Sequence, residues 1–319
     1  MSAIYAWPAQ LKWRDPGVAL TFVVPAERCN LNCSFCAIRQ RKEMSDAVLS
    51  PADYAYFVED VVKAEPTAIV SIQGYEPLLP ESWPYTQAIL ETAQRLGIPG
   101  SLVTNGTWLA ERAPALAALD PAGVTVSIDS DIAAEHDRLR GRDGALASTL
   151  AGVRALAAIG DFDRRITVSS VLLPRRRHLL ENMPAMLSSL GVRHWAISPL
   201  LRIGRGGLGG PVASTDAVID DVLALNRLAD EAGVEVVLDD ELGALERREE
   251  GYGDFLVRRF DRPDGLVRLV PSGACSVGSE ILSQVDATAP VWRPAQESPA
   301  RFLASILGDR SPPRLLQAA

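Results

Sequence analysis

The sequence predicts an α/β fold, a partial (β/α)6 barrel of the TIM-like kind, open on one side and followed by a C-terminal extension. Three observations predict it. Short runs rich in Val and Ile, apolar on both faces, recur roughly every 30 residues, the pattern of parallel strands covered by helices. Amphipathic stretches with helix start and stop signals lie between them. The count is six such units plus a short seventh strand, too many for a small doubly wound domain and short of a closed eight-stranded barrel.

The elements follow in order. The first strand is Ala19–Pro25. A helix starts after Ser50, with Ser50 as N-cap, Pro51 in the first helical position and Asp53 in the first turn. Ala68–Gly74 is the second strand, and a helix over Trp83–Leu96 stops at Gly97. Ser101–Asn105 is a strand and Thr107–Leu119 a helix. Gly123–Asp129 is a strand followed by a long helix over Ala145–Ile159. Arg165–Leu172 is a strand with a helix near His178–Leu190. His194–Leu200 is a strand with a helix over Ser214–Ala232, and Val234–Leu238 is a short seventh strand. The chain divides into an N-terminal extension (1–17), the barrel (18–240) and an extension (241–319) with a Pro-rich tail, placed as a cap on the substrate side. Gly204–Gly210 has neither the Lys-Ser/Thr of a phosphate loop nor GxGxxG spacing, and reads as a loop at the barrel mouth. Glu246–Glu250 reads as a solvated helix face.

Of 319 residues, 47% are hydrophobic and 23% charged, enough to bury a sizeable core. The net charge is −8. Such a chain is a poor general binder of nucleic acid or anionic membrane, because its mean field repels phosphate. No apolar run spans a bilayer, and the N-terminus lacks a signal-peptide layout. The expected location is the cytoplasm.

The four cysteines are Cys29, Cys33, Cys36 and Cys275. Three fall within eight residues, so a shared task explains them better than a disulfide framework. Cys29-Asn-Leu-Asn-Cys33-Ser-Phe-Cys36 follows strand one, at the barrel end where such folds place their chemistry. Three thiolates on one tight loop can hold three irons of a [4Fe–4S] cluster and leave the fourth iron open. Zinc is the chemical rival. It wants a fourth ligand nearby, and His136, His178 and His194 lie a hundred or more residues away.

CxxxCxxC with an aromatic residue before the last Cys, after strand one of a βα barrel, resembles the radical S-adenosylmethionine (SAM) superfamily. The resemblance covers roughly residues 18–240. It implies that Cys29, Cys33 and Cys36 hold a [4Fe–4S] cluster and that SAM chelates the open iron. Reductive cleavage of SAM then yields a 5′-deoxyadenosyl radical that takes hydrogen from an organic substrate. Gln73-Gly74-Tyr75-Glu76-Pro77 resembles the family's GGEP motif, with Tyr75 in place of one Gly; Gly74, Tyr75 and Glu76 would then face the SAM ammonium. Thr104-Asn105-Gly106-Thr107 is similar to a turn common in the family. Ser127-Ile128-Asp129, followed by His136-Asp137-Arg138-Leu139-Arg140-Gly141, resembles a further stretch. It implies that Ser127 contacts the ribose or carboxylate region of SAM and Arg140 its carboxylate, with Asp129 facing substrate or capping the next turn. Phe35 falls in the slot bordering adenine. Ile197-Ser198-Pro199-Leu200 falls where the family lays backbone and an aliphatic side chain against adenine, which brings Ser198 and Leu200 to the cofactor. For Ser127 the alternative is a core hydroxyl, and for Arg140 a surface helix residue.

Arg39, Arg41 and Lys42 form a basic knot that either steers an anionic substrate or a flavodoxin- or ferredoxin-like electron donor, or is a solvated helix start. Cys275 lies among Gly and Pro residues that suggest a turn. One cysteine holds no auxiliary cluster. It is either a hydrogen-atom donor to a substrate radical or a small buried apolar residue. The functional expectation is a radical SAM enzyme acting on a small molecule or peptide, with natural-product or peptide tailoring favoured. The alternative is a non-catalytic Fe–S or metal-binding assembly or regulatory protein. Such a carrier has no use for residues that bind ammonium and carboxylate around a cluster.

Overall fold

The computed structural model describes residues 18–23, 29–36, 49–66, 68–200, 215–238, 265–269, 274–277 and 289–307. Seven parallel strands run in sequence order: β1 (Val18–Val23), β2 (Ile69–Gln73), β3 (Gly100–Thr104), β4 (Gly123–Ser127), β5 (Ile166–Leu172), β6 (His194–Pro199) and β7 (Glu235–Leu238). Helices α1 (Pro51–Ala64), α2 (Trp83–Leu96), α3 (Leu109–Ala118), α4 (Ala133–Arg140), α5 (Ala145–Ala157), α6 (Met183–Ser189) and α7 (Thr215–Ala232) connect them. This is the layout of a partial TIM-like barrel.

Local chemistry sets the boundaries. Ser50 caps α1 in a reciprocal capping box: its hydroxyl accepts from the Asp53 N–H, and the Asp53 carboxylate accepts from the Ser50 N–H at 2.7 Å. Helix α2 ends where Gly97 turns left-handed. The helix expected after β4 is α5, and a further helix, α4, precedes it; Gly141 and Gly144, both at positive φ, separate the two.

Strand alternation sorts side chains between two faces. Leu20, Phe22, Val70, Ile72, Leu102, Val124, Val126, Ile166, Val168, Trp195 and Ile197 join the core under the helices. Phe22 stacks edge-on against Tyr54 and Phe57 of α1. The opposite face lines the lumen, with Thr21, Ser71, Ser101, Thr125, Thr167 and Ser169 on it, all buried.

The C-terminal extension contributes more than its sequence pattern indicates. Strand β8 (Gly265–Leu269) adds to the free edge of β1 in parallel, and β9 (Cys275–Val277) pairs antiparallel with β8. Helix α8 (Pro299–Leu307) lies against α1, where the Ala300 N–H donates to Asp60 Oδ2 at 2.8 Å and Trp292 meets Phe57 edge-on. These parts sit at the sheet edge and on the helix layer. Residues 239–264, 270–273, 278–288 and 308–319, in which much of the extension expected to cap the substrate side falls, lie outside the described residues, as do Gly204–Gly210, Glu246–Glu250, Arg39, Arg41 and Lys42. No helix among the described residues is long and apolar enough to cross a membrane.

Candidate active site at the barrel mouth

The cysteine loop is docked on the end of α4. The last turn of a helix leaves carbonyls without intrahelical partners. Here the Asn32 N–H donates to the Arg140 carbonyl and the Ser34 N–H to the Leu139 carbonyl, each at 2.9 Å. Gly141 makes the approach possible: it has φ +67°, and a Cβ there would lie 2.6 Å from the Asn32 carbonyl oxygen.

Arg140 is buried and wired into the same junction. Its Nε lies 2.6 Å from Asp129 Oδ2. The N–H is not aligned on that oxygen, so the contact is charge pairing rather than a well-formed hydrogen bond. Nη1 is 3.9 Å from Cys33 Sγ, and the guanidinium stands 5.4 Å over the Phe35 ring. Burial opposes the Arg140 charge, but Asp129 and Cys33 hold its pKa above the ordinary guanidinium value. The other Asp129 oxygen accepts from the Val171 N–H at 2.9 Å, and the Asp129 N–H donates to His136 Nδ1 at 3.2 Å. Burial, with the Arg140 charge nearby, pushes His136 down to about 4, so it is neutral with its proton on Nε2.

A second strut ties β2 to β3. Glu76 is fully buried. Its Oε1 accepts from the Leu78 N–H at 3.0 Å and the Thr104 hydroxyl at 2.6 Å, and Oε2 accepts from the Asn105 N–H at 2.7 Å. Burial pushes Glu76 up to about 7 against those donors and the Arg140 charge. Asn105 continues the network: its Nδ2 donates to Asn30 Oδ1 at 2.9 Å and lies 3.7 Å from Cys29 Sγ, and its Oδ1 accepts from Thr107. Asn30 Nδ2 donates to the Thr107 hydroxyl at 2.8 Å. Gly74 and Tyr75, just before Glu76, both have positive φ, +84° and +50°. That backbone suits two glycines, and Tyr75 holds it at a cost in strain.

The three loop cysteines are half-buried and free of disulfides. Burial pushes Cys29 up to about 12 and also raises Cys33. The sulfurs meet donors: the Leu31 N–H lies 3.4 Å from Cys29 Sγ, beside the Asn105 and Arg140 contacts. A buried sulfur facing N–H donors and a guanidinium is built to carry thiolate charge on metal. Among the described residues no three His, Cys, Asp or Glu side chains converge on a single ion position. A four-iron cluster asks for one cysteine per iron, and three thiols on one loop fit that demand.

Residues 23–177 match the Radical SAM superfamily. That stretch is a radical SAM domain. Among curated relatives, the AdoMet-dependent heme synthase of Methanosarcina barkeri is 30% identical over 190 residues, covering 59% of this chain and 52% of that protein. The GTP 3′,8-cyclase 2 of Mycobacterium bovis is 36% identical over 137 residues, covering 42% of this chain and 37% of that one. The chain thus spans about half or less of the length of these relatives. Among solved structures, Streptococcus suis SuiB bound to precursor peptide SuiA superposes with a TM-score of 0.67 at 11% identity, over 95% of this chain and 68% of that one. Native anSMEcpe with bound AdoMet gives 0.63 at 13% identity, over 92% and 81%. At such identities the likeness is one of fold. Radical SAM enzymes use a [4Fe–4S] cluster and SAM.

The structure brings Phe35, Cys29, Cys33, Glu76, Asp129 and Arg140 into one connected mouth network. The Arg140 Nε is paired with Asp129, and both Asp129 oxygens have partners within the protein, Val171 N–H and Arg140. Ser127 is half-buried on the lumen face of β4. Ser198 is buried, with a hydroxyl that has no partner among the described residues, and Leu200 is half-buried beyond β6.

Cys275 lies elsewhere. It starts strand β9 instead of a turn. It pairs with Leu269, which pairs with Phe22, and Phe22 faces α1. Paired residues share a face, so the Cys275 thiol points into the helix-side core and away from the lumen. It is fully buried in that core, and burial raises its pKa well above the ordinary thiol value. The hydrogen-donor role is not compatible with that placement, and the apolar reading takes its place. Sequence reasoning gave no role to Asn30, Asn105 and Thr107. The signal was there in the Thr104–Thr107 turn, whose Asn and Thr side chains bond back to backbone.

Proposed function

We propose that this chain is a radical SAM enzyme that removes a hydrogen atom from an organic substrate held in the barrel lumen, with peptide or natural-product tailoring as its setting. Cys29, Cys33 and Cys36 hold the cluster. When bound there, a cluster and SAM would supply the one-electron, hydrogen-abstracting chemistry. Every other role falls to the chain itself. The Gly74–Tyr75 turn presents backbone carbonyls to the SAM ammonium. Ser127 serves the ribose side, and Ser198 and Leu200 the adenine side. Asp129, Arg140 and His136 position the cysteine loop, and Asn105 shields the Cys29 sulfur. A cytoplasmic flavodoxin or ferredoxin is the reductant. The carrying observation is the loop docked on α4 with N–H donors already turned to two of its sulfurs. Peptide tailoring draws on the SuiB fold, solved with a precursor peptide.

The test is anaerobic reconstitution with iron and sulfide, then SAM and a strong reductant. Release of 5′-deoxyadenosine is expected, and Cys33→Ala abolishes both iron retention and that release. A folded, iron-loaded protein that never cleaves SAM refutes the reading and favours a passive cluster carrier.

A further inference from the structure

Gln73 ends β2 on the lumen face. Its strand neighbours Val70 and Ile72 pack into the helix-side core, and Ile69, Ser71 and Gln73 take the other side. Below it the lumen is closed, since Thr21, Ser71, Ser101, Thr125 and Thr167 are all buried. Above it the lumen opens: Val103, Ser127 and Val171 are half-buried while their neighbours Leu102, Val126 and Leu172 are buried. Gln73 therefore stands at the floor of the open part, at the same end as the cysteine loop.

Its side chain is fully buried, and neither Nε2 nor Oε1 has a hydrogen-bond partner among the described residues. Register aligns it with Val23 on β1, and continuing the β2–β3 ladder past Ile72–Leu102 sets Val103 on its other side. Neither valine can serve an amide. The surface amides behave differently: Gln87 and Gln94 each donate to a protein oxygen. A buried amide with both ends orphaned is costly unless something outside the chain completes it.

We propose that Gln73 is a specificity-determining residue that reads an amide on the substrate. This rests on the lumen being the substrate cavity. The side chain presents an N–H donor and a carbonyl acceptor in one plane, and its complement is the N–H and C=O that one extended peptide residue turns to the same side, or the cis amide edge of a lactam ring such as a nucleobase. The lumen-facing neighbours Val23, Val103, Ser71 and Ser101 are uncharged, which suits an amide rather than a carboxylate or phosphate. Ser198, another buried group whose hydroxyl has no hydrogen-bond partner among the described residues, faces the same space from β6, because its register partner Val171 does.

Two measurements test this on the full chain. The first is the thermal midpoint of the iron-free protein. Gln73→Leu and Gln73→Met remove an unserved amide, and both midpoints are expected to rise. A fall in both means that a fixed internal partner, such as trapped water, already serves Gln73, and overturns the proposal. The second is binding to the reconstituted protein with SAM present, followed by ligand-observed NMR. N-acetyl-alanine-N-methylamide and uridine are the probes for the two amide sources, and N-acetyl-alanine methyl ester, which lacks one N–H, is the control. At least one amide is expected to bind, tenfold more weakly to Gln73→Leu, with the ester binding less well than the peptide amide if that is the source. The amide that binds identifies the source. Equal binding to wild type and Gln73→Leu, or binding of neither amide, overturns the proposal. If neither binds while SAM is still cleaved, the inference fails and the radical SAM reading stands. If SAM is never cleaved, the functional reading fails first.

Discussion

Gln73 and Glu76 are three residues apart and both fully buried, yet they live in opposite circumstances. Glu76 takes three hydrogen bonds, from Leu78 in its own turn and from Thr104 and Asn105 at the end of β3, and feels the Arg140 charge. Gln73 takes none. The mouth is held by contacts within the protein: Asp129, His136 and Arg140 on one side and Glu76 and Asn105 on the other brace the cysteine loop. The lumen wall is left incomplete. The difference separates residues that build the site from residues that await an occupant.

The largest effect expected of that contrast is at Arg140. Arg140→Ala strands the buried Asp129 carboxylate, and urea denaturation of the iron-free protein should show a loss of about 3 kcal/mol. A loss under about 1 kcal/mol would mean that solvent relieves Asp129 and that the mouth is not prebuilt.

The next effect is in pH. Burial raises Glu76 from 4.5 to about 7, so in that window the folded state holds more protons than the unfolded one and stability falls as pH rises. Burial lowers His136 from 6.5 to about 4, so there the unfolded state holds more protons and stability rises with pH. The two slopes, each about 1.4 kcal/mol per pH unit at most, cancel between pH 4.5 and 6.5 in the wild type. Glu76→Gln should expose the His136 slope, with stability climbing from about pH 4 to 6.5. His136→Asn should expose the Glu76 slope, with stability falling from pH 4.5 to about 7. Flat profiles in both variants would show that neither group is as enclosed as its contacts indicate.

The smallest effect is at Cys275, outside both regions. Cys275→Ala should cost about 1 kcal/mol through a small cavity and leave 5′-deoxyadenosine release at the wild-type level. A collapse of that release would place the thiol at the mouth and undo the register argument.

Much of this molecule was legible in its sequence. Strand spacing gave the parallel order, Ser50-Pro51 and Gly97 marked real helix ends, and the CxxxCxxC run identified the loop. What escaped was pairing in space. Asp129 and Arg140 each look like a ligand-binding residue in isolation, and only a strand end meeting a helix end shows them neutralising each other. Strand β8 was hidden because a short run joins a sheet only where an edge is free, and no local pattern reports that the β1 edge is free. The orientation of Cys275 depends on register through two strand pairs, and a shift of one residue would have reversed it.

The docking of Asn32 and Ser34 on the carbonyls of α4 bears on how the metal centre is acquired. A loop that must be ordered by its metal spends part of the binding energy on its own conformational entropy. Here the backbone is anchored at two points by hydrogen bonds that involve no thiolate, so less of the free energy of thiolate ligation goes into ordering. Cluster loading should resemble filling a rigid socket more than folding around a seed, with the Asn32 and Ser34 amides slow to exchange with solvent even before iron is present.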